Sequence, residues 1–166
     1  QWSRGLGDVY KRQTLHRPSN LTDITLQNIF EAVSSFTEDY QIILPAYPRL
    51  KNYIDEEDIE YKNITLIDPL SYIDFMALVY GCELVLTDSG GIQEETTYLG
   101  INCLTLREET ERPITVQEGT NKVVGTDKEN IIIEINNVLG SKISKEAKIK
   151  YWDGETSNRI FQILFD

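Results

Sequence analysis

From Thr14 onward, short apolar runs alternate with stretches whose apolar residues recur at helical spacing. Asp23 stands where a first helix would be capped, and Ile29, Phe30, Val33 and Phe36 follow on one side of it. Gln41-Ile42-Ile43-Leu44 is an apolar run stopped by Pro45, which predicts a buried strand. The acidic stretch from Leu50 to Tyr61 reads as helix edge and loop. Asn63 to Ile67 predicts a second strand, closed by Asp68-Pro69 because the residue before a proline is pushed out of the helical region. Ser71 then caps a helix through Tyr80, with Ile73, Met76, Ala77 and Tyr80 sharing a face.

Glu83 to Thr87 predicts a third strand, and Asp88-Ser89-Gly90-Gly91 leads from it into a helix that Gly100 ends after Leu99. Two more strands follow, at Asn102 to Leu106 and Lys122 to Val124. Gly125-Thr126-Asp127 opens a helix through Leu139, and the tail from Ser144 reads as two helical pieces broken near Asp153-Gly154. Strands alternating with helices at this spacing predict an α/β fold: a Rossmann-like parallel sheet with helices on both faces. No internal repeat and no second domain is visible.

Composition narrows the function. The chain has 166 residues, 40% hydrophobic and 26% charged, which suits one folded domain rather than a disordered segment. Its net charge of −11 argues against nucleic-acid binding through a broad basic face. A small anion held by fixed dipoles and one or two arginines is still compatible with that charge. No apolar run has the length of a membrane span and no signal peptide is evident. Cys82 and Cys103 sit in apolar contexts and are expected to be buried free thiols, from which a cytoplasmic protein is expected. With one histidine and no Cys-x-x-Cys pair, no metal site and no cofactor is expected.

The first thirteen residues, QWSRGLGDVYKRQ, share no hydrophobic period with the rest of the chain. The segment Asp8 to Gln13 resembles the in-frame translation of a transposon end used as a sequencing adapter. Residues 1–13 are therefore expected to be foreign, with the domain running over 14–166 and a further domain missing upstream.

The candidate chemistry lies in Leu84-Val85-Leu86-Thr87-Asp88-Ser89-Gly90-Gly91-Ile92-Gln93-Glu94-Glu95. A buried strand delivers its C-terminal end into a glycine turn that opens a helix, which is where open α/β sheets bind ligands. Gly90 and Gly91 allow close approach to the backbone, and the first helical N–H groups are unpaired donors carrying partial positive charge. With the Ser89 hydroxyl they form a diphosphate cradle that needs no basic residue. Glu95, one turn farther on, is placed to accept from a vicinal pair of sugar hydroxyls. A glycine turn required only for helix–strand packing is the competing reading.

DSGGIQEE, followed by LREETERPITVQEGTNKVVGTD from Leu106 to Asp127, resembles the non-hydrolysing UDP-N-acetylglucosamine 2-epimerases. Thr14-Leu15-His16-Arg17-Pro18-Ser19-Asn20 is similar to that family's His-Arg-x-x-Asn segment, and Asp68 to Phe75 to its Asp-Pro-Leu-x-Tyr-x-x-Phe segment. The resemblance implies the second domain of a GT-B-type two-domain fold, with UDP bound mainly by this half. It implies that Ser89, Gly90 and Gly91 hold the phosphates, that Glu95 holds the ribose hydroxyls and that Phe75 packs on the uracil, a core aromatic on a helix face being the other reading of Phe75. It places Arg112, and less directly Arg107, near the nucleotide or the domain interface.

His16 is implied as the catalytic group facing the diphosphate leaving group, with Arg17 beside it balancing charge. The implied partners are UDP-N-acetylglucosamine and UDP, and the full-length parent is expected to be a homodimer. The family's acid–base carboxylates lie in the other domain, so this chain alone is expected to be inactive. Two departures stand out. Ala46-Tyr47-Pro48-Arg49 replaces the His-Pro-Asn segment of many members, and Pro18-Ser19 follows His16-Arg17 in place of commoner residues. The alternatives are a GT-B glycosyltransferase acting on a nucleotide sugar and a non-catalytic nucleotide-binding module.

Overall fold

The structure, a computed structural model, describes residue 15 and residues 23–56, 64–140 and 149–165. The elements in chain order are α1 (Asp23–Ser34), β1 (Ile42–Pro45), α2 (Pro48–Glu56), β2 (Ile64–Ile67), α3 (Tyr72–Tyr80), β3 (Leu84–Thr87), α4 (Gly90–Leu99), β4 (Asn102–Thr105), α5 (Pro113–Gln117), β5 (Asn121–Val123), α6 (Lys128–Leu139) and α7 (Thr156–Phe165). The expectations for His16, Arg17, the Asp23 side chain and the first tail helix lie outside the described residues.

All strand pairings are parallel, as expected for strands joined by helices. Among the described residues the pairings are grouped as β1–β2 and β3–β4–β5. Register runs from Ile42 opposite Ile64, from Leu84 opposite Asn102 and from Cys103 opposite Asn121. Side chains alternate across each strand, and the alternation assigns the helices to faces. Leu84, Leu86 and Leu104 join the larger core, which holds Leu26, Ile29 and Phe30 of α1 and Ile131 and Ile135 of α6. Val85 points the other way, into a smaller core with Phe75 and Val79 of α3 and Ile92 of α4. Lys128 of α6 reaches Glu31 of α1 at 2.7 Å, an exposed pair worth little beside the burial it overlies.

Helix ends follow the sequence chemistry. Ser71 Oγ accepts from the Asp74 N–H at the start of α3, and Asp127 accepts from the Asn130 N–H at the start of α6. Gly100 closes α4 with φ 73°, a left-handed conformation that glycine adopts without a Cβ penalty. Two helices depart from the expectation: Pro48 opens α2 and Pro113 opens α5, both with the fixed φ suited to a first helical turn. Most of the predicted stripe of α3 faces outward, with Met76 packed against the smaller core. Phe75 and Val79 are its buried residues, whereas Ile73 is 78% and Tyr80 74% exposed. Apolar residues run round most of this helix, so periodicity alone does not say which side meets the sheet. α7 buries none of its side chains. Among the described residues no helix is long and apolar enough to cross a membrane.

Both cysteines are free; Cys103 is buried and Cys82 half-buried. Burial pushes the Cys103 thiol up to about 12 from an ordinary value of 9.0, with weaker opposing help from Thr96 and Thr105. The folded state therefore keeps a proton that the unfolded state loses above pH 9. This contribution is complete below pH 9 and is lost as pH rises through the window up to about 12. Urea melts at pH 8 and pH 10 are expected to show Cys103→Ala losing about 1.4 kcal/mol less stability than the parent over that interval. Equal losses in both proteins would rule the cysteine out as the source.

Candidate functional site

Parallel strands put the C-terminal ends of β3, β4 and β5 on one edge, and the loops leaving that edge make the site. Polar residues are buried there: Thr87 and Asp88 are fully buried and Ser89 is 8% exposed. Thr87 Oγ1 accepts from the Ser89 N–H at 3.0 Å and so fixes the turn out of β3. Ser89 is the N-cap of α4, with extended φ −89° and ψ 123°, but its hydroxyl makes no capping hydrogen bond. The first turn of α4 also lacks an acidic residue. The helix thus presents N–H donors that its own side chains do not satisfy, which is the requirement for an anion cradle.

The glycine is not explained by packing. A Cβ on Gly90 would meet nothing nearer than Glu111 Oε2 at 3.8 Å and Arg112 Cγ at 3.9 Å, ordinary contact distances. These two neighbours also place the loop from Arg107 to Arg112 against the helix N-terminus. Arg112 Nε lies 3.0 Å from Glu94 Oε1 as an ion pair whose angle is not that of a hydrogen bond. Arg112 is 43% exposed at its side chain, so it can turn toward a ligand. Arg107 is held differently. It donates from Nη1 to Glu111 Oε2 at 3.1 Å and from Nη2 to Oε1 at 2.8 Å. That pairing pushes the guanidinium further above its ordinary value, with smaller help from Glu109 and Asp88.

Loop and helix are joined by a buried polar network. Gln93, fully buried on α4, accepts from Thr110 Oγ1 at 2.5 Å and from Asn121 Nδ2 at 3.2 Å. Asn121 also donates to Thr115 Oγ1 at 3.0 Å and accepts from Thr105 Oγ1 at 2.6 Å. Thr110 Oγ1 in turn accepts from the Arg112 N–H at 3.0 Å. Removing one member of such a network leaves its partners unsatisfied at about 1–3 kcal/mol each, so the network fixes Arg112 relative to α4. Gln93, Glu111 and Asn121 are not marked by the sequence. Gln93 sits inside the quoted helix, but nothing local distinguishes it as buried, and its bond to Asn121 spans 28 residues.

Of the expected residues, Ser89, Gly90, Gly91 and Arg112 are brought together. Glu95 lies on α4 toward α3, where the Tyr72 hydroxyl donates to its Oε1 at 3.4 Å. It lines an open groove with Tyr72, Ile73, Met76, Tyr98 and Trp152. Phe75 lies in the smaller core and is 5% exposed. No cluster of potential metal ligands occurs among the described residues.

Comparison with known proteins places the chain in a family. Residues 7–165 match the model of the UDP-N-acetylglucosamine 2-epimerase family. The chain is 38% identical over 167 residues to the UDP-N-acetylglucosamine 2-epimerase of Methanocaldococcus jannaschii, covering 96% of this chain and 45% of the relative. A crystal structure of the Methanocaldococcus jannaschii enzyme in complex with UDP-GlcNAc and UDP superposes with a TM-score of 0.77 at 38% identity, covering 92% of this chain and 44% of that one. That of a putative UDP-N-acetylglucosamine 2-epimerase from Listeria monocytogenes gives 0.77 at 35% identity, covering 96% and 46%. The chain spans less than half the length of these relatives. By its sequence match and its α/β Rossmann-like fold, it belongs to the UDP-N-acetylglucosamine 2-epimerase family.

Proposed function

We propose that this chain is the UDP-binding half of an enzyme that interconverts UDP-N-acetylglucosamine and UDP-N-acetylmannosamine. The observation that carries the reading is the N-terminus of α4 at the end of β3, which has no side-chain cap, with room for a Cβ at Gly90 whose nearest neighbours would be at 3.8 and 3.9 Å. The diphosphate lies on the N–H groups of Gly90 and Gly91 and the Ser89 hydroxyl, with Arg112 turning from Glu94 to share its charge. The ribose hydroxyls donate to Glu95. His16 and Arg17 complete the leaving-group side.

The reaction class follows from what such a cradle stabilises. A base removes the C2 proton, the bond from C1 to the diphosphate oxygen breaks, and UDP leaves a 2-acetamidoglucal. UDP then re-adds at C1 while a proton reaches C2 from the opposite face. A site that holds the departing diphosphate lowers the barrier in both directions. The carboxylates that move the C2 proton are assigned to the other half of the full-length protein, so this chain by itself is expected to give no turnover. The full-length protein is expected to be a cytoplasmic homodimer.

An amide-detected NMR titration of the chain with UDP, against GDP as control, tests the binding assignment. UDP-selective shifts centred on residues 89–95 and on residue 16 are the expected result. A folded spectrum unmoved at millimolar UDP would overturn it.

A further inference from the structure

Two threonine hydroxyls clamp the backbone of Arg112. The Arg112 N–H donates to Thr110 Oγ1 at 3.0 Å, and the Arg112 carbonyl oxygen accepts from Thr115 Oγ1 at 2.7 Å. The side chain is the part left to move, and it crosses the N-terminus of α4, with Arg112 Cγ 3.9 Å from where a Cβ on Gly90 would stand. Farther out, Nε meets Glu94 Oε1 at 3.0 Å, and Nη1 donates to the Glu111 carbonyl oxygen at 3.3 Å. Glu94 follows Gly90 by four residues on α4, so the two share a helix face. Helical side chains lean toward the N-terminus, which carries the Glu94 carboxylate back over the first turn. An anion of the protein's own therefore stands beside the N–H groups of the cradle and holds its arginine. The two side chains are 43% and 42% exposed. An ion pair this exposed shifts an equilibrium by roughly fivefold at most, so a ligand can break it.

We propose that Glu94 sets the affinity of the phosphate site by competing with the ligand's diphosphate for Arg112, an inference that rests on the UDP-binding reading above. In the free protein the guanidinium is parked on Glu94. On binding it swings to the diphosphate about a fixed backbone, and the Glu94 carboxylate is left without its cation next to a second anion. Two effects then weaken the complex: the lost ion pair, and the repulsion of like charges across one helical turn. Both grow with the charge of the ligand, so a diphosphate feels them more than a monophosphate does. The consequence is a site that lets its nucleotide go. Substrate and product of the epimerisation carry the same diphosphate, and a grip uniform over both lowers KM without speeding turnover. By loosening that grip Glu94 favours release, and the Arg112 pair forms again once the site empties.

The test is calorimetric titration of UDP into the full chain, its Glu94→Gln and Arg112→Gln variants and the double variant. Glu94→Gln keeps the size and polarity of the side chain and removes its charge. UDP is expected to bind this variant about three- to tenfold more tightly than the parent, and UMP to gain less. In the Arg112→Gln background the gain is expected to shrink at least about twofold, because only the repulsion is left to remove. A merely structural role for Glu94 would give the same change in both backgrounds. That result, or a UDP affinity unchanged or weakened by Glu94→Gln, would overturn the proposal; weakening would mean that Glu94 orients Arg112 for the ligand. Should Glu94→Gln fold poorly, Glu94→Ala is expected to move UDP affinity in the same direction and decides in its place. A parent chain that does not bind UDP would overturn the nucleotide reading and this proposal with it, whereas binding without the gain sinks the role of Glu94 alone.

Discussion

Gly119→Ala lowers the stability of the domain by about 3 kcal/mol, a fall of roughly 6–12 °C in melting temperature for a chain of this size. Gly119 joins α5 to β5, and the added methyl would lie 2.4 Å from the Thr115 carbonyl oxygen. It would also lie 2.5 Å from Cγ2 and 2.6 Å from Oγ1 of Thr97. Neither neighbour can give way. The first is backbone of a five-residue helix, and Thr97 is fully buried on α4. Relief has to come from separating α5 from α4, which pulls on the hydrogen bonds joining Gln93, Thr110 and Asn121. Gly81→Ala is the control, because its nearest neighbour would be 3.5 Å away and its φ of −87° suits alanine. Parallel thermal melts decide: a Gly119→Ala transition within 2 °C of the parent would show that the close approach carries no energy.

Gly90→Ala is expected to separate folding from binding. The methyl meets protein atoms only at 3.8 Å and beyond, and alanine is the better residue in a helix, so stability should hold or rise by up to about 0.5–1 kcal/mol. The same methyl stands over the first N–H groups of α4, where the proposed diphosphate must approach the backbone. Affinity for UDP is expected to fall at least tenfold, about 1.4 kcal/mol or more. Calorimetric titration and a melt on the same preparation give both quantities. A loss of stability with unaltered UDP affinity would identify the glycine turn as a packing device and remove the main support for the cradle.

The strand–turn–helix at residues 84–99 was legible because local signals agree there: an apolar run, two glycines at a helix start and a glycine at its end. The starts of α3 and α6 were legible for the same reason, since Ser71 and Asp127 each accept from an N–H three residues on. Pro113 and Pro48 carry a comparable signal for α5 and α2, two helices that hydrophobic periodicity does not reveal. The outward face of α3 was not legible, because Ile73 and Tyr80 are as apolar as the Phe75 and Val79 side that the sheet selects. Nor were Gln93 and Asn121, whose burial exists only once α4, β4 and β5 are assembled.

The cradle is made of peptide dipoles, a hydroxyl and an arginine already paired to a glutamate, set in a chain of net charge −11. Dipole fields decay within the first helical turn, whereas the repulsion between an acidic protein and a diphosphate extends over a Debye length, about 10 Å at 0.1 M salt. On the proposed reading the chain therefore draws its anionic ligand in only at close range and repels it from farther away. Capture is then faster at higher ionic strength, the reverse of the dependence seen where a basic funnel guides phosphate compounds inward.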